Sequence, residues 1–357
     1  MSKVIVGMSG GVDSAVAAYL LKLAGHEVSG VTLRVWMSKD GKDSRCCEID
    51  DAKKVSHMIG IPYYVENCVA EFNEKVIKRF INDYISGMTP NPCVECNRYI
   101  KWNKMIETAD MMQAEYVATG HYAHVIKLDN GRYTVKTADH AEKDQTYMLY
   151  RLTQEQLKRT IMPLGGLSKD EVRSIAGKAG LLVAKKPDSQ EICFVTDGKY
   201  AEYIEYNSEE EVPGEGNFVD EDGNILGKHK GIIHYTIGQR KGLGIAMGHP
   251  VFVKEINAEK NEVVLSLEDA LFKKEVICNR LNFLSIDGLA PGEELRVRAK
   301  IRYHHKPQAA KISMVDEDRL KICFDEPVRA VTPGQSAVFY DDDDCVVGGA
   351  ANARPSP

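Results

Sequence analysis

Three cysteines in this chain stand among residues suited to thiol chemistry. Cys93 and Cys96 lie at CxxC spacing in "TPNPCVECNRYIKW", residues 89–102, a stretch opened by two prolines. Such a pair serves as half of a zinc site, a redox couple, part of an iron–sulfur site, or a nucleophile with a neighbour. Cys193, in "DSQEICFV", is a third thiol set beside polar residues. Cysteines within apolar runs, such as Cys68, Cys278 and Cys323, read instead as small buried hydrophobes. The other chemical stretch is "GMSGGVDS", Gly7 to Ser14, which follows the apolar "KVIV" directly. Its glycines let backbone N–H groups approach an oxyanion closely. Ser9 and Ser14 add hydroxyl donors, and a helix opening at Asp13 and Ser14 adds its positive end. That pattern is a pyrophosphate cradle. It is neither a Walker loop, since no Gly-Lys-Ser/Thr follows at the required interval, nor GxGxxG.

The elements that must position these groups alternate. A short strand precedes the loop, and residues 12–23 read as a helix with Val16, Tyr19, Leu20 and Leu23 on one side. Strands at 28–35 and 62–65 flank a helix at 49–59, and a longer helix is expected at 69–84. "AEYVATGHYAHV" supplies a strand ending near Gly120 and His121, and Ser168 with Glu171 forms a capping box opening a helix at 169–179. This alternation predicts an α/β domain with a doubly wound parallel sheet. Ligands of such sheets sit beyond the carboxyl ends of the strands, where "GMSGG" and "ATGH" both fall. After about residue 200 the texture turns to glycines and short β runs, with a hairpin turning at 258–261. From about Val276, strands recur with turns at Pro291-Gly292 and Pro333-Gly334, as in a small β-barrel or sandwich. The expected organisation is a catalytic domain over 1–200, a mostly-β central domain over 201–274, and a C-terminal β-barrel over 275–357.

A length of 357 residues suits two or three domains, and 43% hydrophobic with 27% charged residues is the composition of a soluble globular protein. No run approaches the roughly 18 apolar residues of a membrane span. The chain begins at once with a strand, without a basic and apolar leader, so a cytoplasmic protein with no membrane partner is expected. Its nine cysteines should then be mostly reduced. A net charge of −6 argues against wholesale coating of nucleic acid but leaves room for local basic patches. In "LRVRAKIRYHHK", Arg296, Arg298, Lys300 and Arg302 alternate with Val297, Ala299, Ile301 and Tyr303, which puts the cations on one strand face. "GQRKGLG", Gln239 to Gly244 onward from Gly238, is a basic glycine loop able to lie on phosphates.

"SGGVDS" immediately after a first strand resembles the PP-loop ATP pyrophosphatases, which split ATP between the α and β phosphates. The resemblance implies that ATP lies on Gly7, Met8, Ser9, Gly10, Gly11, Val12, Asp13 and Ser14, with Leu33 and Gly120 beside the adenine and Asp13 helping Mg²⁺. Four stretches together, "GMSGGVDS", "NPC..CNRYIKW", "DSQEICF" and "YTIGQRKGLGI", resemble the tRNA-specific 2-thiouridylase family in content and order. "ATGHYA", "KDQTYMLYRL" and "TPGQSAVFYD" extend the likeness over almost the whole chain. What this implies is ATP-dependent replacement of the C2 oxygen of the wobble uridine (U34) of tRNA by sulfur. Cys193 would carry a persulfide, and Cys96 would be the second catalytic cysteine, closing a transient disulfide with it. Asn91, Pro92 and Cys93 would line the target base, and His121, Lys143, Asp144, Gln145, Arg302, Tyr303 and Gln335 would touch the tRNA. A sulfur donor such as a cysteine desulfurase or relay protein would be the other partner. Many members carry aspartate where this chain has Cys93. With Cys96 and Cys193 it makes three ligands for a 4Fe–4S cluster with one open iron, so a persulfide relay and a cluster both stay open. Two rival readings are a PP-loop ligase or amidotransferase acting on a small molecule, which would not need the cysteines, and a non-catalytic tRNA-binding or sulfur-carrier protein.

Overall fold

The computed structural model describes residues 1–36, 48–188, 192–195 and 198–354. Its N-terminal part is a parallel sheet. β1 (Lys3–Gly7), β2 (Glu27–Arg34), β3 (Tyr63–Asn67) and β4 (Tyr116–Ala118) are followed by an antiparallel hairpin, β5 (His124–Lys127) and β6 (Tyr133–Lys136), and then by β7 (Thr160–Ile161). The sheet order is β3-β2-β1-β4-β7, with every pairing parallel. The chain therefore runs outward one way from β1 and returns on its other side at β4. The loops after β1 and β4 part there, at the crevice where this architecture takes its ligands.

Helices cover both faces. α1 (Val12–Leu23) carries Ala15, Ala17 and Ala18, all buried, and their small side chains let it sit close to the sheet. α2 (Ile49–Ile59) ends at Gly60 with φ 73°, the left-handed cap that glycine adopts freely. The helix expected over 69–84 runs instead as α3 (Val69–Phe72), a π turn at Asn73–Ile77, and α4 (Lys78–Ile85). A second interrupted helix comprises α5 (Pro92–Cys96), a π turn at Asn97–Lys101, and α6 (Trp102–Met111). Pro92 occupies the first turn of α5, where its missing N–H costs nothing. Hydrophobic periodicity cannot reveal the single extra residue that makes each π turn. α7 (Gln154–Lys158) and α8 (Lys169–Lys178) both open with complete capping boxes, the second formed by Ser168 and Glu171 as predicted. α9 (Tyr200–Asn207) leads out of this part.

β8 (Gly216–Val219), β9 (Ile225–His229), β10 (Phe252–Asn257) and β11 (Glu262–Ser266) form a four-stranded sheet in which the expected hairpin is β10–β11. β12 (Phe272–Phe283), β13 (Glu294–Lys300), β14 (Gln308–Met314), β15 (Leu320–Arg329), β16 (Ser336–Tyr340) and β17 (Val346–Asn352) close a barrel, which settles the barrel-or-sandwich alternative. The basic strand stops at Lys300, so Arg302 and Tyr303 lie in the turn beyond it rather than on its face. The remaining cations of that face have acidic or aromatic neighbours. Arg296 pairs with Asp325, Arg298 with Asp344, and the Lys300 ammonium sits 5.4 Å from the Tyr303 ring centre. Among the described residues no helix is long and apolar enough to cross a membrane.

The barrel is tied to the parallel-sheet part by buried polar bonds. Tyr147 OH donates to the Ser336 carbonyl at 2.7 Å, and Asn282 donates to the carbonyls of Tyr150 and Leu152 at 2.6 and 3.1 Å. Arg132 adds a bond from Nε to the Leu284 carbonyl at 2.8 Å. Leaving any of these buried groups without its partner would cost about 1–3 kcal/mol.

Candidate active site

The loop after β1 is built to present backbone. Ser9 N–H donates to Ser14 Oγ at 3.1 Å, Gly11 N–H donates to Ser9 Oγ at 3.3 Å, and Ser14 Oγ donates to the Gly11 carbonyl at 3.1 Å. Both hydroxyls thus brace the loop as well as lining it. Gly10 has φ 80°, and a Cβ there would stand 2.6 Å from the Glu48 carbonyl oxygen, so two independent constraints demand glycine. The base of the loop is fixed from β2. Met8 N–H donates to the Val31 carbonyl at 2.8 Å, Thr32 Oγ1 donates to the Met8 carbonyl at 2.6 Å, and Tyr63 OH donates to Thr32 Oγ1 at 2.7 Å. Gly120 faces the loop from the end of β4, where a Cβ would lie 2.7 Å from Asp13 C and Ser14 N. Gly7, Met8, Ser9, Gly10, Gly11, Val12, Asp13, Ser14 and Gly120 are therefore neighbours in space. Leu33 lies further along β2 and packs into the clusters that hold Cys96 and Val94.

Around Asp13 lies a set of charges that no sequence spacing announced. Lys169, the first residue of α8, donates to both Asp13 oxygens at 2.7 and 2.9 Å, and Tyr122 OH donates to Oδ1 at 2.7 Å. A lysine in a helix's first turn opposes the helix dipole, so its placement answers to these acids and not to α8. Lys169 also pairs with Asp188 at 2.8 Å, as do Lys143 at 2.9 Å and Arg173 at 3.0 Å. Burial works against a charge on Asp188, but the bonds from Lys169 and Lys143 outweigh it and hold the carboxyl down to about 2. Burial first, then Asp13, pushes the Tyr122 hydroxyl well above its ordinary range, so it stays protonated as the donor to Asp13. Lys186 donates to the Gly10 carbonyl at 3.1 Å and to Asp51 at 2.6 Å, and pairs with Glu48, strapping α2 to the loop. Tyr122, Lys169, Arg173, Lys186 and Asp188 were missed because they are spread along the chain. Only Tyr122, inside "ATGHYA", and Asp188, inside "DSQEICF", lay in motifs.

The thiols gather on the β2 side. Cys96 ends α5, is 7% exposed, and belongs to the apolar cluster of Val35, Ile100 and Phe194 against which Cys193 and Leu33 pack. Cys93, one turn earlier on α5, is exposed and neighbours Tyr303, whose hydroxyl is raised by burial, then by Asp144 and Cys93. The π turn starts at the residue after Cys96, an irregularity typical of functional sites. The fragment Ser189–Glu191 of the Cys193 motif lies outside the described residues, as does Met37–Cys47, which contains Cys46 and Cys47. Arg98 donates to the Arg151 carbonyl, and Lys101 helps lower the His121 imidazole. Among the described residues no three Cys, His, Asp or Glu side chains are grouped closely enough to hold a metal ion.

The remaining predicted positions fall into two groups. Gln335 Nε2 donates to the carbonyls of Thr89 and Pro90 at 2.9 and 3.2 Å, and Thr89 N–H donates to the Pro333 carbonyl at 2.9 Å. A barrel loop thus grips the segment that feeds α5. Asn91 reaches the Met148 sulfur at 3.4 Å, Pro92 is buried, and Tyr303 OH donates to the Asp144 carbonyl at 3.1 Å. Arg302 is turned inward, donating to the Ile237 carbonyl at 3.0 Å and to the Ala330 carbonyl and Thr332 hydroxyl. The second group surrounds the nucleotide loop. Gln145 exchanges two bonds of 3.0 Å with the Tyr122 backbone, Asp144 accepts from Thr146 Oγ1 at 2.7 Å, and Lys143 holds Asp188. His121, half-buried beside the Trp102 ring, has its imidazole pushed down to about 3 by burial and then by Lys101, so it is neutral at physiological pH. Arg240 and Lys241 of the glycine loop are exposed.

Comparison with known proteins places the whole chain in one family. Residues 2–197 match the family described as tRNA methyl transferase HUP domain, 202–267 the tRNA methyl transferase PRC-barrel domain, and 273–351 the aminomethyltransferase beta-barrel domain. The chain is 52% identical to the tRNA-specific 2-thiouridylase MnmA of Lachnoclostridium phytofermentans, covering 98% of this chain and 99% of that one. It is 53% identical to the MnmA of Clostridioides difficile, covering 97% of each. Among solved structures, the U34-tRNA thiolase NcsA of Methanococcus maripaludis is similar over 54% of this chain and 60% of that one, at 21% identity and a TM-score of 0.36. With half its residues shared along essentially its whole length, the chain belongs to the tRNA-specific 2-thiouridylase MnmA family.

Proposed function

We propose that this protein is a tRNA-uridine 2-sulfurtransferase, replacing the C2 oxygen of the wobble uridine by sulfur at the expense of ATP. The observation that supports the reading is an oxyanion loop at the end of β1 beside an apolar cluster at the end of β2 that contains Cys96 and has Cys193 packed against it. A PP-loop ligase acting on a small molecule has no use for the second, and a mere carrier or RNA-binding protein has no use for the first. The residues fit a nucleotide's phosphates: the Gly10 cradle excludes any Cβ, and Lys169 and Lys186 stand beside it. ATP, when bound, supplies the adenylyl group that turns a poor leaving oxygen into a good one, releasing pyrophosphate.

The chain's own residues do the remainder. The Ser9–Ser14 brace holds the N–H groups aimed at the phosphates, an arrangement that needs no reorganisation as charge develops. Asp13, paired with Lys169 and oriented by Tyr122, is the carboxylate that would help hold Mg²⁺. In the sulfur step, the terminal sulfur of a persulfide on Cys193 bonds C2, and the C2–oxygen bond breaks with its electron pair leaving on AMP. Cys96 thiolate then attacks Sγ of Cys193. The bond to the transferred sulfur breaks onto 2-thiouridine, leaving a Cys96–Cys193 disulfide for an external thiol to reduce. The apolar walls of Val35, Ile100 and Phe194 keep water from competing for the activated carbon. The steps above use only Cys96 and Cys193, and none is routed through a cluster. The GlyGln-rich bases at Arg240 and Lys241 and the barrel loop at Gln335 are the parts we assign to the tRNA, with the parallel-sheet part as the catalytic domain.

The test is Cys96→Ala and Cys193→Ala, assayed by mass spectrometry of tRNA nucleosides with ATP and a persulfide donor. Each should abolish 2-thiouridine while leaving tRNA affinity within twofold. Normal thiolation by either variant would overturn the mechanism.

A further inference from the structure

Between the segment that leads into α5 and the rim of the barrel lies an open cavity of about 470 Å³, a size typical of ligand sites. Ser86 faces it from the N-terminal part. Asn279 and Arg280 face it from β12, Arg319 from the turn before β15, Asn352 from the end of β17, and Arg354 from just beyond. Three guanidinium-bearing residues from three separate elements therefore share one cavity, and none of the described residues lining it is acidic. Arg319 has a partner, Asp316, at 2.7 Å. Arg280 and Arg354 are exposed and have no hydrogen bond or ion pair from their side chains among the described residues. Arg280 also has φ 54°, within the bulge where the β12–β17 register shifts between Asn279 and Asn282.

We propose that this cavity takes backbone phosphates of the RNA substrate, a few nucleotides from the target base. The proposal rests on the reading of the chain as a tRNA-thiolating enzyme. The charge complementarity is that of a polyanion: cations are spread along a solvent-open rim instead of converging on one point. Position settles which polyanion. Met88, also in the lining, is five residues from Cys93, and five residues span at most about 17 Å. The cavity is thus within reach of the nucleotides that flank a base held at Cys93. Phosphate contacts of this kind fix the register of the substrate and carry no sequence information.

The test uses the full-length protein and an unmodified tRNA transcript, with affinity measured across a series of salt concentrations. Arg280→Asn keeps a residue that tolerates positive φ, and Arg354→Gln lies beyond the last strand, so both leave the barrel intact. The double variant should lose about tenfold in affinity at low salt, and its slope of log K against log salt should become shallower by about 1.5, the loss of two phosphate contacts. Its KM for tRNA should rise with kcat within twofold, and its thermal midpoint should match that of the parent. Parental affinity and slope in the double variant overturn the proposal while the tRNA reading stands. Failure of the unaltered protein to bind tRNA overturns both. Pyrophosphate and inorganic phosphate are titrated in parallel. Saturable binding of either that is lost in the double variant, with tRNA affinity unchanged, gives the cavity to a free anion instead and also overturns the proposal.

Discussion

Replacing Gly120 by alanine tests whether the β4 loop and the phosphate loop act as one rigid unit. The added Cβ would stand 2.7 Å from both Asp13 C and Ser14 N and 3.0 Å from Asp13 Cβ. Ordinary carbon contacts begin near 3.4 Å, so something must give by about 0.7 Å. The obstacle is backbone at the start of α1, a helix whose Ala15, Ala17 and Ala18 are packed on the sheet with no spare volume, so no rotating side chain can relieve it. Overpacking of this kind costs about 1–3 kcal/mol, which lowers the melting midpoint by several degrees. The functional cost should be greater than the structural one, because a displacement near 1 Å in a reacting geometry can cost about 100-fold. We predict that tRNA-dependent pyrophosphate release falls 10- to 100-fold in kcat, with tRNA affinity within twofold of the parent. Gly177→Ala is the control: Gly177 is exposed on α8 with nothing near its Cβ, and the change should leave the rate unchanged and raise stability by up to about 1 kcal/mol. A Gly120→Ala enzyme that is folded and within threefold of parental kcat would refute the claimed coupling.

Three further outcomes follow from the site. Lys169→Met removes the cation shared by Asp13 and Asp188, and kcat/KM for ATP should fall about 100-fold with tRNA binding retained; a loss under threefold would show that Asp13 needs no such partner. Cys93→Ala should keep at least about half of the thiolation rate with a persulfide donor, because the relay uses only Cys96 and Cys193; loss of activity together with iron in anaerobically purified parent would refute the relay. Asp83 is buried, and burial outweighs the Arg79 charge to raise its carboxyl to about 6. An acid whose folded pKa is raised is without penalty below its ordinary value near 4 and loses stability as pH climbs through 6. Asp83→Asn should therefore gain on the parent between pH 4 and 7, by about 2–3 kcal/mol at most, in chemical denaturation at the two ends; a pH-independent difference would contradict this.

The order of elements was legible because local chemistry is strong where the chain needs precision. Residues 12–23 and 49–59 are helices with the predicted ends, and Ser168 and Glu171 cap α8 as their spacing required. The π turns after Phe72 and Cys96 were not legible, since one inserted residue barely disturbs a 3.6-residue repeat. The alternation of charge in "LRVRAKIRYHHK" predicted a strand face that continues through Arg302. In the structure the strand ends two residues earlier, and the guanidinium turns inward to three acceptors, where it ties the barrel to the glycine loop. Motifs found the phosphate loop and the thiols because those residues are contiguous. The network of Lys169, Tyr122 and Asp188 is assembled from distant segments, and single residues of common type carry no signal until the fold brings them together.

The central claim, that the chain activates a uridine C2 oxygen with ATP and replaces it with sulfur, is tested most directly by the fate of that oxygen. A tRNA transcript carrying heavy oxygen at C2 of the wobble uridine is incubated with the enzyme, ATP and a persulfide donor, and the products are weighed by mass spectrometry. The account predicts 2-thiouridine and AMP in equal amounts, with the heavy oxygen on the AMP phosphate. Heavy oxygen in pyrophosphate or water, or AMP formed without 2-thiouridine, would contradict it.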